Sequence, residues 1–90
     1  MTVTMLLPAV LAGRAGGLRS VRTAGSTLGE VLDNVAVEHS DLVQVIRGRD
    51  GLSRFVNLYV NEVDARGTGG LETPVAPGAE ISVIPAVAGG

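Results

Sequence analysis

Cysteine and lysine are both absent from this 90-residue chain, and so is tryptophan. Without cysteine the chain has neither a disulfide framework nor a thiolate metal site, so its stability depends on a packed core. A single histidine, His39, cannot form an imidazole cluster by itself. We therefore expect a domain with no metal site of its own.

Aromatic residues are limited to Phe55 and Tyr59, and charges of one sign do not accumulate. Seven arginines stand against nine carboxylates, a net charge of −2, with no basic block that could follow a phosphate backbone. The chain also lacks the apolar run of roughly 20 residues that a membrane span needs, and a basic segment leading into an apolar one at its N-terminus. We expect a cytoplasmic protein without nucleic-acid or membrane partners.

An apolar content of 46% excludes disorder, and 90 residues make one domain. We place this domain at residues 1–84 and a flexible tail, which ends in Gly-Gly, at residues 85–90. Alternation of apolar residues predicts strands at residues 2–7, 18–23, 55–61 and 81–84. The glycine-rich stretch at 12–17 predicts a loop that joins the first two strands as a hairpin.

The clearest helix signal begins at Thr27, whose hydroxyl and the Glu30 side chain fit a reciprocal capping box. Apolar residues then recur at helical spacing and predict an amphipathic helix over residues 28–38; they are Leu28, Val31, Leu32, Val35 and Ala36. A second short helix is expected from Ser40, with Leu42, Val45 and Ile46 packed beneath it, followed by a loop at 47–53.

This order of elements predicts an α+β fold, in which a mixed sheet carries one main helix across one face. The core would be formed by the helix and the inward positions of the strands; these are Val3, Met5, Val56, Leu58, Val60, Ile81 and Val83. The first and last strands would both lie inside the sheet.

Few reaction types are compatible with the side chains available. His39 has no evident nucleophile or carboxylate partner, and the carboxylates are scattered through turns and exposed helix positions. The glycine stretches at 13–17 and 67–70 lack the Lys-Ser/Thr sequence of a phosphate loop. The side chains therefore show no arrangement for most reaction types.

The C-terminal residues Gly89 and Gly90 follow the last strand closely. Two residues without Cβ atoms are thin enough to enter a narrow channel, and they present the main-chain carboxylate of Gly90 as a reactive group. A carboxylate is a poor electrophile, so chemistry at Gly90 would require activation.

The element order, the helix start Thr27-Leu28-Gly29-Glu30 and the ending Pro85-Ala86-Val87-Ala88-Gly89-Gly90 resemble the ubiquitin-like β-grasp sulfur carriers of the MoaD/ThiS family. Within that family the chain is most similar to the CysO-type carriers of actinobacterial cysteine biosynthesis. This similarity rests on residues 54–61, Asp64, Arg66, Gly69-Gly70-Leu71 and the same ending.

The resemblance implies that the chain is a protein cosubstrate and not an enzyme. An E1-like adenylating enzyme would use ATP to join the Gly90 carboxylate to AMP, and a sulfur donor would displace AMP to leave a thiocarboxylate. The sulfur-accepting synthase would be a PLP-dependent cysteine synthase or a thiazole-synthase-like enzyme, and a zinc-dependent JAMM-type metallopeptidase could regenerate the Gly-Gly end. ATP, PLP and zinc would belong to these partners, so no cofactor is expected on the chain.

Partners would bind the sheet face that points away from the helix. Among the positions out of phase with the core, four are apolar: Leu6, Phe55, Tyr59 and Ile84. We predict that they bind partners together with the tail residues Pro85, Val87, Ala88 and Gly89. The alternative explanation is that a loop covers some of them, or that they are isolated exposed residues without a partner.

Three other functions remain open. The same carrier chemistry could serve molybdopterin, thiamine or thio-sugar synthesis, or the chain could be a ubiquitin-like modifier joined to lysines of other proteins. A plain binding domain with an accidental Gly-Gly end is the last alternative.

Overall fold

The structure is a computed structural model that describes residues 2–49 and 51–86. Its elements in chain order are β1 (Val3–Leu6), α1 (Ala9–Ala12), β2 (Ser20–Thr23), α2 (Leu28–Ala36), α3 (Ser40–Ile46), β3 (Arg47–Gly48), β4 (Gly51–Leu52), β5 (Val56–Val60), β6 (Val63–Asp64) and β7 (Glu80–Pro85). Short 3-10 turns lie at Gly13–Ala15, Ala65–Gly67 and Gly70–Glu72.

The main sheet has five strands in the order β2-β1-β7-β5-β6. The β1 and β7 strands pair in parallel, and every other pair in this sheet is antiparallel. The predicted α+β fold with a mixed sheet is therefore confirmed, and the first and last strands lie inside the sheet as expected.

The core lies between one face of the sheet and α2 with α3. Alternation places every predicted inward strand position in it; Val3, Met5, Val56, Leu58, Val60, Ile81 and Val83 are each at most 8% exposed. The stripe on α2 is buried as well, with Leu28, Val31 and Leu32 fully buried. The periodicity of the sequence thus assigned the buried face of both layers correctly.

The start of α2 differs in one contact from the predicted capping box. Glu30 N–H donates to Thr27 Oγ1 over 3.2 Å, as expected. The Glu30 carboxylate, however, accepts from the backbone N–H and the hydroxyl of Ser26, each over 2.9 Å, and not from Thr27. The bond from the backbone N–H of Ser26 is the larger cause, and the bond from its hydroxyl the second, by which the pKa of Glu30 is held below its usual range.

The second helix, α3, packs on the core through the three predicted residues and one more. Leu42 and Ile46 are fully buried, and Val45 is half-buried against the core. Val43, which the prediction left out, is buried as well, at 6% exposed. A seven-residue helix completes barely two turns, so the spacing of its apolar residues could not show how wide the buried side is.

Two segments predicted as loops contain regular structure. The connection from β1 to β2 includes the helix α1 and a 3-10 turn, which bury Leu11 and Ala15. The predicted loop at 47–53 contains the small hairpin of β3 and β4, in which Arg47 pairs with Leu52. Elements of two to four residues are too short to show a hydrophobic period, so the sequence pattern could not reveal them.

Candidate partner-binding face and C-terminal strand

The β7 strand carries the chain through the middle of the sheet toward its C-terminal end. It pairs with β5 from Val60↔Ile81 to Val56↔Pro85. Beyond this pairing, Ala86 N–H donates to the carbonyl oxygen of Phe55 over 2.9 Å. Pro85, predicted as the first tail residue, is therefore part of the strand, and the chain is held to the sheet up to Ala86.

The residues predicted to carry the chemistry lie beyond this point. Val87, Ala88, Gly89 and Gly90 are outside the described residues. Their predicted roles stay predictions, whereas the strand that leads to them is described in full.

The sheet face opposite the helices carries the predicted partner-binding residues. One register row runs across three strands through Leu6 of β1, Ser82 of β7 and Tyr59 of β5. Ile84 lies two residues after Ser82, on the same face and opposite Asn57. Leu6, Tyr59 and Ile84 are thus brought together around the central strand, although they are distant in the sequence.

This face is apolar in part only. Ile84 is 46% exposed, while Leu6 and Tyr59 are half-buried. Ser82 stands between Leu6 and Tyr59 in the row, and the register makes Ile84 a diagonal neighbour of both apolar residues. Ile84 is therefore the central apolar side chain of this face.

Phe55 lies just before β5 begins and marks the end of the sheet from which the C-terminus leaves. Its ring is 67% exposed, although its backbone carbonyl is bonded to Ala86. The guanidinium carbon of Arg54 lies 5.8 Å from the ring centroid, within the range of a cation–π contact. An exposed aromatic side chain therefore stands beside the start of the C-terminal tail.

Arg66 is the residue at this end of the sheet to which the sequence analysis assigned no role. Its guanidinium donates to acceptors nine to thirteen positions earlier, at the entry to β5. Neither helical nor strand periodicity connects residues at such separations. In the sequence, Arg66 stood out only as one of the residues that resemble the CysO-type carriers.

The described residues contain neither a cluster of metal ligands nor a membrane-spanning helix. Across 2–49 and 51–86, no three or more His, Asp or Glu side chains are grouped so as to hold a metal ion. No helix in that part of the chain combines the length and the apolar character required to cross a membrane.

Comparison with known proteins extends over the whole chain. The model of the ThiS family matches residues 5–90. The sulfur carrier protein CysO of Mycobacterium tuberculosis is 40% identical over 93 aligned residues, covering 100% of both chains. The alignment therefore includes the C-terminal residues as well as the sheet.

Solved structures agree with this relationship. The CysO chain from the BexX/CysO complex of Amycolatopsis orientalis superimposes with a TM-score of 0.91 at 40% identity, covering 98% of this chain and 99% of that chain. SAMP1 of Haloferax volcanii gives a TM-score of 0.79 at 30% identity, covering 100% of both chains. With a matching family model and a full-length relative at 40% identity, the chain belongs to the ThiS family and is a homologue of the sulfur carrier protein CysO.

Proposed function

We propose that the chain is a sulfur carrier whose Gly90 carboxylate is adenylated and then converted to a thiocarboxylate, which donates its sulfur in cysteine biosynthesis. The observation that carries this proposal is the 40% identity to CysO over an alignment that covers the whole of this chain, including its Gly-Gly end. In this role the chain is a cosubstrate of other enzymes and not a catalyst, and it acts in the cytoplasm.

The proposed chemistry needs activation because hydroxide is a poor leaving group from a carboxylate. A Gly90 carboxylate oxygen would attack the α-phosphorus of ATP and release pyrophosphate, which leaves an acyl-adenylate on the chain. A sulfur nucleophile would then displace AMP, so that the carboxylate oxygen departs with the phosphate and sulfur takes its place. An E1-like adenylating enzyme would supply the site for both steps.

The first prediction concerns the mass of the chain. Incubation with the E1-like adenylating enzyme from the same genome, ATP and a sulfide source should add about 16 Da, because one oxygen is replaced by sulfur. Intact-protein mass spectrometry measures the change directly. A chain that lacks Gly90 is the matched control, and formation of the same species on that chain would contradict the proposed site.

The second prediction concerns the open face of the sheet. Ile84→Asp should leave the fold intact, since this side chain is 46% exposed and points away from the helices. It should weaken binding to the adenylating enzyme by roughly tenfold or more, because an unpaired charge would enter an apolar interface. Titration calorimetry measures the Kd.

Val37→Asp is the control for this experiment. Val37 is 81% exposed at the C-terminal end of α2, on the helix side of the sheet. This variant adds the same charge away from the proposed interface and should bind as the wild type does. An unchanged Kd for Ile84→Asp would remove Ile84 from the partner-binding surface.

The sulfur acceptor is proposed as a PLP-dependent cysteine synthase, with a JAMM-type metallopeptidase that releases the product. An alternative acceptor is a thiazole-synthase-like enzyme or another biosynthetic partner, because a CysO homologue is found in a complex with BexX. Mixing the thiocarboxylated chain with each purified enzyme and its small substrate distinguishes them by mass. The cysteine synthase should join the chain to its amino-acid substrate through the sulfur, so that the mass rises and returns to its original value only after the metallopeptidase is added. An acceptor that removes the sulfur alone should return the chain to its original mass directly.

A ubiquitin-like modifier is the other candidate, because SAMP1 of Haloferax volcanii, a small archaeal modifier protein, shares the fold and 30% of the sequence. The absence of lysine means that this chain cannot form lysine-linked chains with itself. Conjugation to other proteins would instead require lysines on those proteins. Higher-mass conjugates of a tagged chain in cells, absent when Gly90 is deleted, would support the modifier over the sulfur carrier.

A further inference from the structure

Arg66 lies in the 3-10 turn after β6, and its guanidinium reaches across to the chain entering β5. Its Nη1 donates to Asn57 Oδ1 over 2.7 Å, and its Nη2 donates to the carbonyl oxygen of Val56 over 3.0 Å and to that of Ser53. Its backbone N–H donates to Asp64 Oδ1 over 2.9 Å, which defines the turn from which the side chain projects. A planar guanidinium presents its donors in a rigid fork on separate nitrogen atoms, whereas an ammonium group is a compact point charge with all its donors on one nitrogen.

Arg66 restrains the backbone on both sides of Phe55. The two carbonyl groups that accept from Arg66 belong to Ser53 and Val56, which lie before and after Phe55. In addition, Phe55 N–H donates to Ser53 Oγ over 3.0 Å. Ser53 is itself buried, and its N–H donates to the carbonyl oxygen of Ile46 over 2.8 Å. The backbone of Phe55 is therefore held in place although its ring is exposed.

Phe55 connects this bridge to the end of the last strand. Its carbonyl oxygen accepts from the N–H of Ala86, which lies four residues before Gly90. Arg66 is thus linked to Ala86 through one short segment.

We infer that Arg66 is a positioning residue for activation of the chain end. By holding the segment from Ser53 to Asn57, Arg66 determines where Phe55 anchors Ala86, and hence where the C-terminal residues leave the sheet. This inference rests on the proposed function. An enzyme that binds a chain end with a defined exit point has less conformational entropy to remove on binding. Loss of the bridge should therefore raise KM and leave kcat unchanged, because the guanidinium acts on the chain end through the segment from Ser53 to Asn57, to which its described bonds go.

The first measurement does not depend on carrier activity. Amide hydrogen exchange at Ala86, followed by NMR on the free protein, should become about tenfold faster in Arg66→Met, because the charge-assisted bonds that hold its acceptor are lost. Arg66→Lys, which keeps the charge but not the planar bridge, should give an intermediate rate. Arg49→Met removes an exposed arginine from the turn between β3 and β4 and should leave the rate unchanged.

The second measurement is the steady-state rate of thiocarboxylation by the adenylating enzyme, with the carrier as the varied substrate. Arg66→Met should raise KM by about tenfold, with kcat within about twofold of the wild type. If Arg66→Met does not fold, Asn57→Ala removes one of the three acceptors and should shift Ala86 exchange and KM in the same direction by a smaller amount.

The outcomes are distinguishable. If Arg66→Met folds and its rate of amide exchange at Ala86 equals that of the wild type, the hydrogen bonds of Arg66 do not hold the end of β7. Faster exchange with an unchanged KM would overturn the positioning role. If the wild type gains no sulfur at all, the proposed function is overturned, whereas the exchange data still decide whether Arg66 holds Ala86.

Discussion

Gly25 shows at the scale of one residue why the chain can pass from β2 into α2. A Cβ atom at this position would lie 2.7 Å from the backbone nitrogen of Val31 and 2.9 Å from its Cγ2 atom. The φ angle of Gly25 is +153°, which few other residues adopt. The close approach to α2 therefore requires glycine.

We predict that Gly25→Ala lowers the free energy of unfolding by about 1–3 kcal/mol, because the helix backbone must move to admit the methyl group. Urea denaturation of the purified variant measures this. Gly13→Ala is the matched control, since Gly13 has a φ of −62° and no atom within 4 Å of an added Cβ. The control should stay within about 1 kcal/mol of the wild type or become more stable. Equal midpoints for both variants would show that the contact at Gly25 is relieved at no cost.

At the scale of an element, α2 is stabilised by the side it buries. Its first turn is capped by Thr27 and Ser26 through the contacts with Glu30. Isolated helices of nine residues are marginal in water. The helix therefore depends on packing against the sheet, and its fully buried leucines carry most of that packing.

Leu32→Ala should reduce the free energy of unfolding by about 2–5 kcal/mol, because it opens a cavity at a fully buried position. Chemical denaturation followed by circular dichroism measures the loss. Val37→Ala, at the 81% exposed position just after the helix, should change it by less than about 0.5 kcal/mol. A loss for Leu32→Ala as small as that of the control would contradict the assignment of the buried face.

At the scale of the whole molecule, the sheet sets the point at which the folded domain ends. The contacts found in the structure reach Ala86, since Pro85 pairs with Val56 and Ala86 is bonded to Phe55. We therefore expect the residues that stabilise the fold to end at residue 86. The proposed chemistry takes place beyond them, at Gly90.

A chain truncated after residue 86 should unfold within about 0.5 kcal/mol of the full chain, because the described contacts are all retained. A chain truncated after residue 84 should be less stable by about 1 kcal/mol or more, because the bond from Ala86 and the pairing of Pro85 are lost. Thermal and urea unfolding of the three chains provide the comparison. Equal stability of the two truncated chains would show that Pro85 and Ala86 contribute nothing to the fold.

Much of the fold could be predicted because its signals are local. Val3 and Met5 face the core since side chains alternate along a strand, and Leu28 and Leu32 share one side of α2 since they are four residues apart. The candidate face followed from the same alternation, which sends Leu6 and Ile84 to the opposite side. Its function in partner binding was suggested by resemblance and not by periodicity.

The sequence by itself thus determined the identity of the main strands and of α2, the buried side of each, and the Gly-Gly end on which the proposed chemistry depends. These properties depend on residues only a few positions apart, whose spacing can be read along the chain. Only the tertiary structure decided that Val43 is buried in the core beside Leu42 and Ile46. It also decided that Ile84 becomes the centre of the open face and that Arg66 holds the segment anchoring Ala86. Such contacts join residues distant in the sequence, and they exist only once the strands are ordered and the helices packed.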